Sequence, residues 1–198
     1  EGGLTEEGRR QAIITANKFP KKKGKPQVMI VSPFQRTKET AEIIENELHI
    51  GKIEYNELLV ERRNPSEIIG RSREDIEVRR IVDRIDNGFH EDNLRYSDEE
   101  NFTDLRDRAK KLLKYLSRRR EQRIMVVTHS IFMTMTICYM LLKDKLTASE
   151  YNKLSYLNPI NNAGLTICTC ETRFLRKPKW KLLVWNDRLQ ADEEEEKL

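Results

Sequence analysis

Residues 124 to 132 read IMVVTHSIF, and this stretch decides the class of fold. Its first four residues are all apolar, which predicts a short buried strand. His129 comes just after the point where that strand ends, and the apolar stretch that continues to Leu142 predicts a helix. A histidine at the end of a buried strand faces a cleft, where it is either a hydrogen-bonded structural residue or a participant in chemistry.

A second stretch, residues 28 to 36, has the same build and reads VMIVSPFQR. A short apolar strand ends at Ser32 and gives way to helical spacing that includes Arg36. Because the carboxyl ends of parallel strands meet at one edge of a sheet, Ser32, Arg36 and His129 are predicted to converge in one crevice. Helix N-termini favour anions and the planar donors of arginine match phosphate, so the sequence predicts a phosphate pocket there.

Strands and helices alternate along most of the chain. Besides the two strand–helix units above, apolar periodicity predicts helices over residues 4–19 and 101–119, a strand or extended chain over 52–61, and strands over 163–171 and 180–187. This alternation predicts a single α/β domain over residues 1–198. We expect a three-layer α/β/α arrangement with a mostly parallel central sheet. Between residues 64 and 97 the pattern is weak and charged, which predicts helical pieces joined by loops.

The charge of the chain is patterned. A formal net charge of +4 combines basic runs at residues 21–25 and 118–120 with an acidic tail over residues 190–198. Such runs are usually solvated, and the alternative is a basic module that binds nucleic acid or a protein partner. Only 7% of the residues are aromatic, which is too few for a platform that stacks bases, so no nucleic-acid partner is predicted.

The apolar stretches and the cysteines further limit the classes of protein to which this sequence can belong. The longest apolar stretch, residues 131–142, is shorter than the roughly 20 residues that a membrane-spanning helix needs, so no membrane association is predicted. Cys138, Cys168 and Cys170 lack the paired spacing of a zinc site and are predicted to be reduced core thiols. We therefore expect a cytoplasmic protein without a metal.

Several stretches together resemble the histidine phosphatase superfamily, the phosphoglycerate-mutase-like enzymes. SPFQRTKETAEII is similar to the Ser-Pro-x-x-Arg-x-x-x-Thr-Ala segment of that family, and VVTHS is similar to its second histidine motif. Four further stretches agree in the family's order, namely LTEEGRRQA, LLVERR, ENFTDLRDR and the pair NNAGLTICTCE with KLLVWNDRL. The resemblance covers nearly the whole chain and implies a phosphoglycerate-mutase-like fold.

The resemblance also implies an activity and roles for individual residues. In this family a nucleophilic histidine is phosphorylated and the phosphoryl group then passes to water or to a second substrate. Arg36 matches a phosphate-binding arginine and His129 matches the second histidine, which holds the same phosphoryl group. Glu61 matches the general acid, although a glutamate at a strand end is otherwise often exposed. We expect a phosphomonoester hydrolase that acts on a small phosphorylated substrate without a cofactor.

Substrate contacts are predicted less sharply. Ser32 and Arg62 are candidate substrate-binding residues, and Arg63 fits as well as Arg62. Residues 62–100 are predicted to form an insertion that shapes the pocket. A phosphoglycerate-type mutase and a catalytically inactive relative that binds a phosphorylated ligand are the alternative functions.

Two departures from the family pattern stand out. Ser130 occupies the position where the family usually has glycine after its second histidine, a change that fits if the backbone keeps a negative φ. The Arg-His-Gly signature of the nucleophile lies upstream of LTEEGRRQA in the family, so the nucleophile is expected before residue 1. His49 and His90 do not follow a buried strand and are not expected to replace it.

The upstream segment has a predicted place in the fold. We expect about 15 to 30 further residues that carry a short apolar strand, an estimate from usual strand and loop lengths. That strand is expected between or beside the strands that end at Ser32 and Thr128. Without it, residues 1–198 are expected to fold poorly, because unpaired backbone groups would line the exposed edge.

Overall fold

The computed structural model describes residues 2–19, 24–89, 91–172 and 176–187. His90, most of the basic run at residues 21–25 and the predicted acidic tail at 190–198 lie outside the described residues. No helix within the described ranges is both long and apolar enough to cross a membrane.

Helices and strands alternate as the sequence predicts, followed by a terminal hairpin. The helices are α1 (Glu6–Asn17), α2 (Gln35–Leu48), α3 (Ile76–Gly88), α4 (Phe102–Leu116), α5 (Ser130–Leu142) and α6 (Ala148–Leu157). The strands are β1 (Val28–Val31), β2 (Ile53–Tyr55), β3 (Ile124–Val127), β4 (Leu165–Glu171) and β5 (Lys179–Asp187). Short 3-10 turns lie at Glu57–Leu59, Ser66–Ile68 and Lys143–Lys145.

The central sheet is parallel and has the order β2-β1-β3. All four residues of β1 are buried, which explains why its sequence is an unbroken apolar run. Met29 and Val31 pack with residues of α1 and α2 on one face. Val28 and Ile30 pack with α4 and α5 on the other face. The predicted three-layer α/β/α fold is therefore confirmed.

The remaining strands show where the predictions need correction. The stretch 52–61 divides into β2 and the turn Glu57–Leu59. The closing strands β4 and β5 form a separate antiparallel pair, which agrees with the edge or hairpin strands that their alternation predicts. β1 pairs directly with β3, so an upstream strand between them, one of the two predicted places, is excluded. The other edge of β3 pairs with no strand among the described residues.

Helix α6 was not predicted, although its start carries a readable signal. Thr147 and Glu150 form a reciprocal capping box at its N-terminus, in which each side chain accepts a hydrogen bond from the other residue's backbone N–H. The helix packs Tyr151 into the main core, where this ring meets Phe89 and Phe102. The core beside α4 and α5 is thus larger than the sequence pattern indicated.

The segment 62–100 consists of helical pieces and loops, as predicted. The turn Ser66–Ile68 and helix α3 share a small hydrophobic core of their own, distinct from the two cores that flank the sheet. Its buried members are Ile68, Val78, Ile81 and Ile85. One side of the amphipathic helix α3 is buried in this small core, while Phe89 at the end of the helix packs in the main core.

Candidate active site

The carboxyl ends of β1 and β3 lie side by side because Val31 pairs with Val127. Ser32 follows β1, and its backbone N–H donates to the carbonyl of Val127 at 2.9 Å. His129 lies two residues after β3, and Arg36 lies in the first turn of α2. Ser32, Arg36 and His129 meet at this edge, and we call these three residues the strand-end pocket.

Both ring nitrogens of His129 have partners in this pocket. Nδ1 lies 3.1 Å from Nε and 2.8 Å from Nη2 of Arg36, and Nε2 lies 2.8 Å from Oγ of Ser32. Arginine can only donate, so Nδ1 is the unprotonated acceptor. In the neutral ring Nε2 therefore carries the proton and donates it to the Ser32 hydroxyl. Ser32 is fully buried, which directs its hydroxyl to His129 and away from solvent.

The surroundings of His129 favour its neutral form. Burial is the largest cause, followed by the positive charges of Arg36 and Arg108, and together they lower the pKa of His129 to about 4. The imidazole is consequently uncharged at neutral pH. The charge of the strand-end pocket at that pH is the charge of Arg36.

Arg36 has no carboxylate partner among the residues that the structure describes. Its guanidinium lies over the Phe34 ring, 5.4 Å from the centroid, and donates to the neutral His129. Phe34 also contacts the His129 ring, with centroids 5.0 Å apart. An arginine held by an aromatic ring and a neutral imidazole keeps its charge available for an anion.

Glu61 reaches the same edge of the sheet from the stretch after β2. Its carboxylate accepts hydrogen bonds from the backbone N–H groups of Phe132 at 3.0 Å and Ile131 at 3.2 Å, in the first turn of α5. The N–H of Arg62 adds a third bond at 3.0 Å. His129, the N-cap residue of α5, makes no side-chain cap of its own. Glu61 therefore satisfies helix N–H groups that lack a partner within α5.

The two arginines after Glu61 differ in position. The Arg62 side chain is only 7% exposed and pairs with Asp86 at 2.6 Å. Its guanidinium also lies 5.0 Å from the centroid of the Phe89 ring. Arg63 is exposed, and its backbone exchanges hydrogen bonds with Glu100. Neither arginine side chain contacts a residue of the strand-end pocket.

Two residues that the sequence interpretation did not single out belong to this region. Arg108 of α4 contacts the chain around Glu61, and its partner is the buried Glu100. Both lie in the stretch ENFTDLRDR, which was compared with the family only as a helix start. An arginine at the inner side of an otherwise amphipathic helix was the available signal.

The departure from the family pattern at Ser130 fits the structure. Ser130 is the first residue of α5 and keeps a negative φ, so serine replaces glycine there without strain. His49 is exposed at the C-terminal end of α2, far along the helix from Arg36. In the described parts of the chain, no three His, Cys, Asp or Glu side chains are grouped as ligands for a metal ion.

The sequence model of the histidine phosphatase superfamily (branch 1) matches residues 2–188. The chain belongs to this superfamily. No curated protein matches the chain. The membership agrees with the fold, in which a parallel sheet brings Arg36 and His129 together at the carboxyl ends of two adjacent strands.

Solved structures with the same fold include a mycobacterial glucosyl-3-phosphoglycerate phosphatase in complex with inorganic phosphate. It has a TM-score of 0.71 and 20% identity, covering 96% of this chain and 89% of that one. A protein termed mycobacterial hydrolase 1 has a TM-score of 0.71 and 19% identity, covering 93% and 87%. YhfR of Bacillus stearothermophilus has a TM-score of 0.68 and 22% identity, covering 85% and 79%. At these identities the likeness establishes the shared histidine phosphatase fold.

Proposed function

We propose that this member of the histidine phosphatase superfamily is a phosphomonoester hydrolase that works through a phosphohistidine intermediate. The observation that carries the proposal is Arg36, whose charge no described carboxylate offsets and which donates to the buried, neutral His129. Two of the similar structures are a phosphatase that holds inorganic phosphate and a hydrolase. Membership of the superfamily and these two neighbours support a phosphatase activity.

Arg36 and His129 would bind the phosphoryl group together. An arriving anion would draw the guanidinium away from Nδ1 of His129, because a charged acceptor binds arginine more strongly than a neutral one. Nδ1 would then be free to take up a proton and donate to a phosphoryl oxygen. Cationic donors aimed at these oxygens stabilise the charge that develops during transfer. Ser32 would act on the substrate through His129, since its hydroxyl binds Nε2.

Glu61 would be the general acid for the leaving group. Its carboxylate now accepts three backbone N–H bonds, so it would have to rotate off the N-terminus of α5 to carry and deliver a proton. Arg62 is a candidate contact for the rest of the substrate once it separates from Asp86. The segment 62–100, with its own small core, would shape that side of the pocket.

We propose that the nucleophilic histidine comes from a segment N-terminal to Glu1, on a strand that pairs with the second edge of β3. That edge pairs with no described strand, whereas the first edge is occupied by β1. A strand there would end next to His129, as β1 does. A histidine nucleophile divides the displacement into formation and hydrolysis of a phosphoenzyme. The reaction needs neither cofactor nor metal, and the free thiols of Cys138, Cys168 and Cys170 suit a reducing compartment such as the cytoplasm.

The test is hydrolysis of p-nitrophenyl phosphate and of simple alkyl phosphates by the full-length protein in the presence of EDTA. We expect turnover, inhibition by vanadate and a phosphohistidine that survives an alkaline quench and is lost in acid. Transfer of the phosphoryl group to a second phosphoglycerate, with little transfer to water, would instead identify a mutase. Binding of inorganic phosphate without any turnover would overturn the hydrolase and favour the inactive phospholigand-binding alternative.

A further inference from the structure

Arg108, in the middle of α4, holds the chain segment that carries Glu61. Through Nη1 its guanidinium donates to the carbonyl oxygens of Leu58 at 2.9 Å and Val60 at 2.7 Å. Through Nη2 it donates to the carbonyl of Glu61 itself at 3.4 Å. These carbonyls lie in and after the 3-10 turn Glu57–Leu59, where the chain pairs with no strand among the described residues. A side chain from a distant helix therefore takes the place of a strand partner.

The carbonyl of Leu59 accepts no hydrogen bond from Arg108, and a residue at the end of β3 binds it instead. Thr128, the residue before His129, donates its hydroxyl proton to the carbonyl of Leu59 at 2.8 Å. The stretch 58–61 is thereby fixed between α4 and the end of β3. Glu61 is consequently oriented by side chains and not by regular secondary structure.

Glu100 completes the binding of Arg108. Its carboxylate accepts from Nε at 2.7 Å and from Nη2 at 2.6 Å, which gives every guanidinium N–H an acceptor. The two side chains are 12% and 3% exposed. Glu100 also accepts from the N–H of Arg63 at 3.3 Å, so the pair is joined to the residues that follow Glu61. A buried, fully bonded ion pair of this kind fixes geometry more than it adds stability.

Arg108 also contacts the helix end that binds the Glu61 carboxylate. Its guanidinium lies over the Phe132 ring, 3.9 Å from the centroid. The backbone N–H of Phe132 is one of the donors to that carboxylate. One guanidinium thus touches both the backbone of Glu61 and the residue that holds its side chain.

We propose that Arg108, oriented by Glu100, is a positioning residue that holds the backbone of Glu61 in place, so that the Glu61 side chain reaches the phosphoryl site from a fixed position. This inference rests on the proposed role of Glu61 as general acid. Lysine in place of Arg108 would keep the charge but not the planar fork or the flat face that lies on Phe132. The exchange should therefore leave the charge of the region unchanged and loosen Glu61.

The chain offers a matched control in Arg119, which lies just after the C-terminal end of α4. Arg119 donates to Glu54 and Glu121 at 2.7 to 3.0 Å, and it lies over the Tyr115 ring. We call Arg119, Glu54 and Glu121 the α4-end network. Like Arg108, Arg119 is bound by carboxylates and an aromatic ring, but it makes no contact with the stretch 58–61. Arg119→Lys therefore makes the same substitution at a position where no effect on Glu61 is expected.

The kinetic test compares Arg108→Lys and Arg119→Lys in the full-length protein, alone and in a Glu61→Gln background. Misplacement of a reacting group by about 1 Å costs about a hundredfold in rate, so we expect Arg108→Lys to lower kcat for an alkyl phosphate roughly 10- to 100-fold. The loss should be much smaller for p-nitrophenyl phosphate and should vanish in the Glu61→Gln background. Arg119→Lys should leave kcat unchanged for both substrates. An equal loss on both substrates, or the same loss in both backgrounds, would overturn the proposal.

A second test does not depend on activity. The amides of Ile131 and Phe132 are bound by the Glu61 carboxylate, whereas the next amide, Met133, is bound within α5 by the His129 carbonyl at 2.8 Å. Arg108→Lys should speed hydrogen exchange at Ile131 and Phe132 at least tenfold and leave Met133 and the amides of β1 unchanged. Equal acceleration throughout would mean general destabilisation and would refute a positioning role.

The kinetic test and the hydrogen-exchange test together distinguish failure of this inference from failure of the proposed function. A full-length protein that hydrolyses no phosphomonoester would refute the hydrolase, and the exchange rates would still decide whether Arg108 positions Glu61. Normal hydrolysis by Arg108→Lys with unchanged exchange at Ile131 and Phe132 would refute the positioning role alone.

Discussion

Arg36 in the strand-end pocket and Arg119 in the α4-end network carry the same guanidinium in opposite electrostatic surroundings. Arg119 faces two carboxylates, and its hydrogen bonds are the largest cause of lowering the pKa of Glu54 and of Glu121 to about 2. Arg36 faces a neutral imidazole and an aromatic ring. The positive charge of Arg119 is offset where it lies, while that of Arg36 remains for an anion. Pairing, and not the number of basic residues nearby, therefore indicates where phosphate would bind.

Arg108 shows that proximity to the pocket is not sufficient either. It lies near His129 and helps to lower the pKa of that histidine, yet Glu100 binds it in a buried ion pair. Its donors all end on protein acceptors, so it is suited to holding the chain and not to holding a ligand. The same side chain thus has three different surroundings in one fold, which fit the proposed roles of anion binding for Arg36 and positioning for Arg108, and the ion pairing of Arg119.

The largest expected effect comes from Glu61, compared with Glu54 in the α4-end network. Glu61→Gln should slow hydrolysis of an alkyl phosphate by about 10² to 10⁴, the usual range for general acid catalysis. The loss on p-nitrophenyl phosphate should be far smaller, because that leaving group departs without a proton. Glu54→Gln should change neither rate. The measurement is kcat on both substrates, and equal losses on the two would mean that Glu61 only positions the ligand.

A smaller effect concerns the pH dependence of stability, which should differ between the two regions. The unfolded chain protonates His129 near pH 6.5, its ordinary pKa, whereas the folded chain does so near pH 4. Because the unfolded state binds more protons between these values, the free energy of unfolding should fall as the pH is lowered from about 6.5 to about 4. The shift corresponds to up to about 3 kcal/mol. The lowered pKa values of Glu54 and Glu121 affect the free energy of unfolding only below about pH 4.5.

Denaturant unfolding at several pH values between 7 and 4 checks this prediction. His129→Gln should flatten the dependence above about pH 4.5, and Arg119→Gln should leave that part of the curve as it is. A slope that survives His129→Gln unchanged would mean that other groups dominate the titration.

The fold was largely predictable because its two decisive stretches are local. IMVVTHS and VMIVSPFQR each join a buried strand to a helix, and parallel strands bring their carboxyl ends together whatever lies between them. The meeting of Arg36 with His129 follows from that geometry. Strand order did not follow, because direct pairing of β1 with β3 depends on how layers pack and leaves no mark on either strand. The capping box of α6 is a local signal that the sequence does carry.

The support of Glu61 was beyond sequence pattern. Arg108 lies 50 residues from Leu58, and Glu61 lies 70 residues from the Ile131 amide that it binds. Helical spacing places Arg108 in line with Leu105 and Leu112 on the inner face of α4, but no periodicity links residues so far apart or names the partners of this arginine. Only the packed structure shows that three carbonyls of the stretch 58–61 accept hydrogen bonds from Arg108.

The final prediction tests the contrast between Arg36 and Arg119 directly. Arg36→Ala should weaken binding of inorganic phosphate or vanadate at least tenfold, because a charge-assisted hydrogen bond contributes about 1.5 to 3 kcal/mol and each 1.4 kcal/mol is about tenfold. Arg119→Ala removes an equal charge but should change the affinity less than twofold, since Glu54 and Glu121 already offset it. Calorimetric titration of both variants at fixed ionic strength measures the difference, and fixed salt matters because long-range charge effects are screened. If both variants lose affinity equally, the anion responds to the net charge of the protein and not to the strand-end pocket. If neither does, Arg36 is not the phosphate ligand, and its bond to His129 serves only to hold that ring.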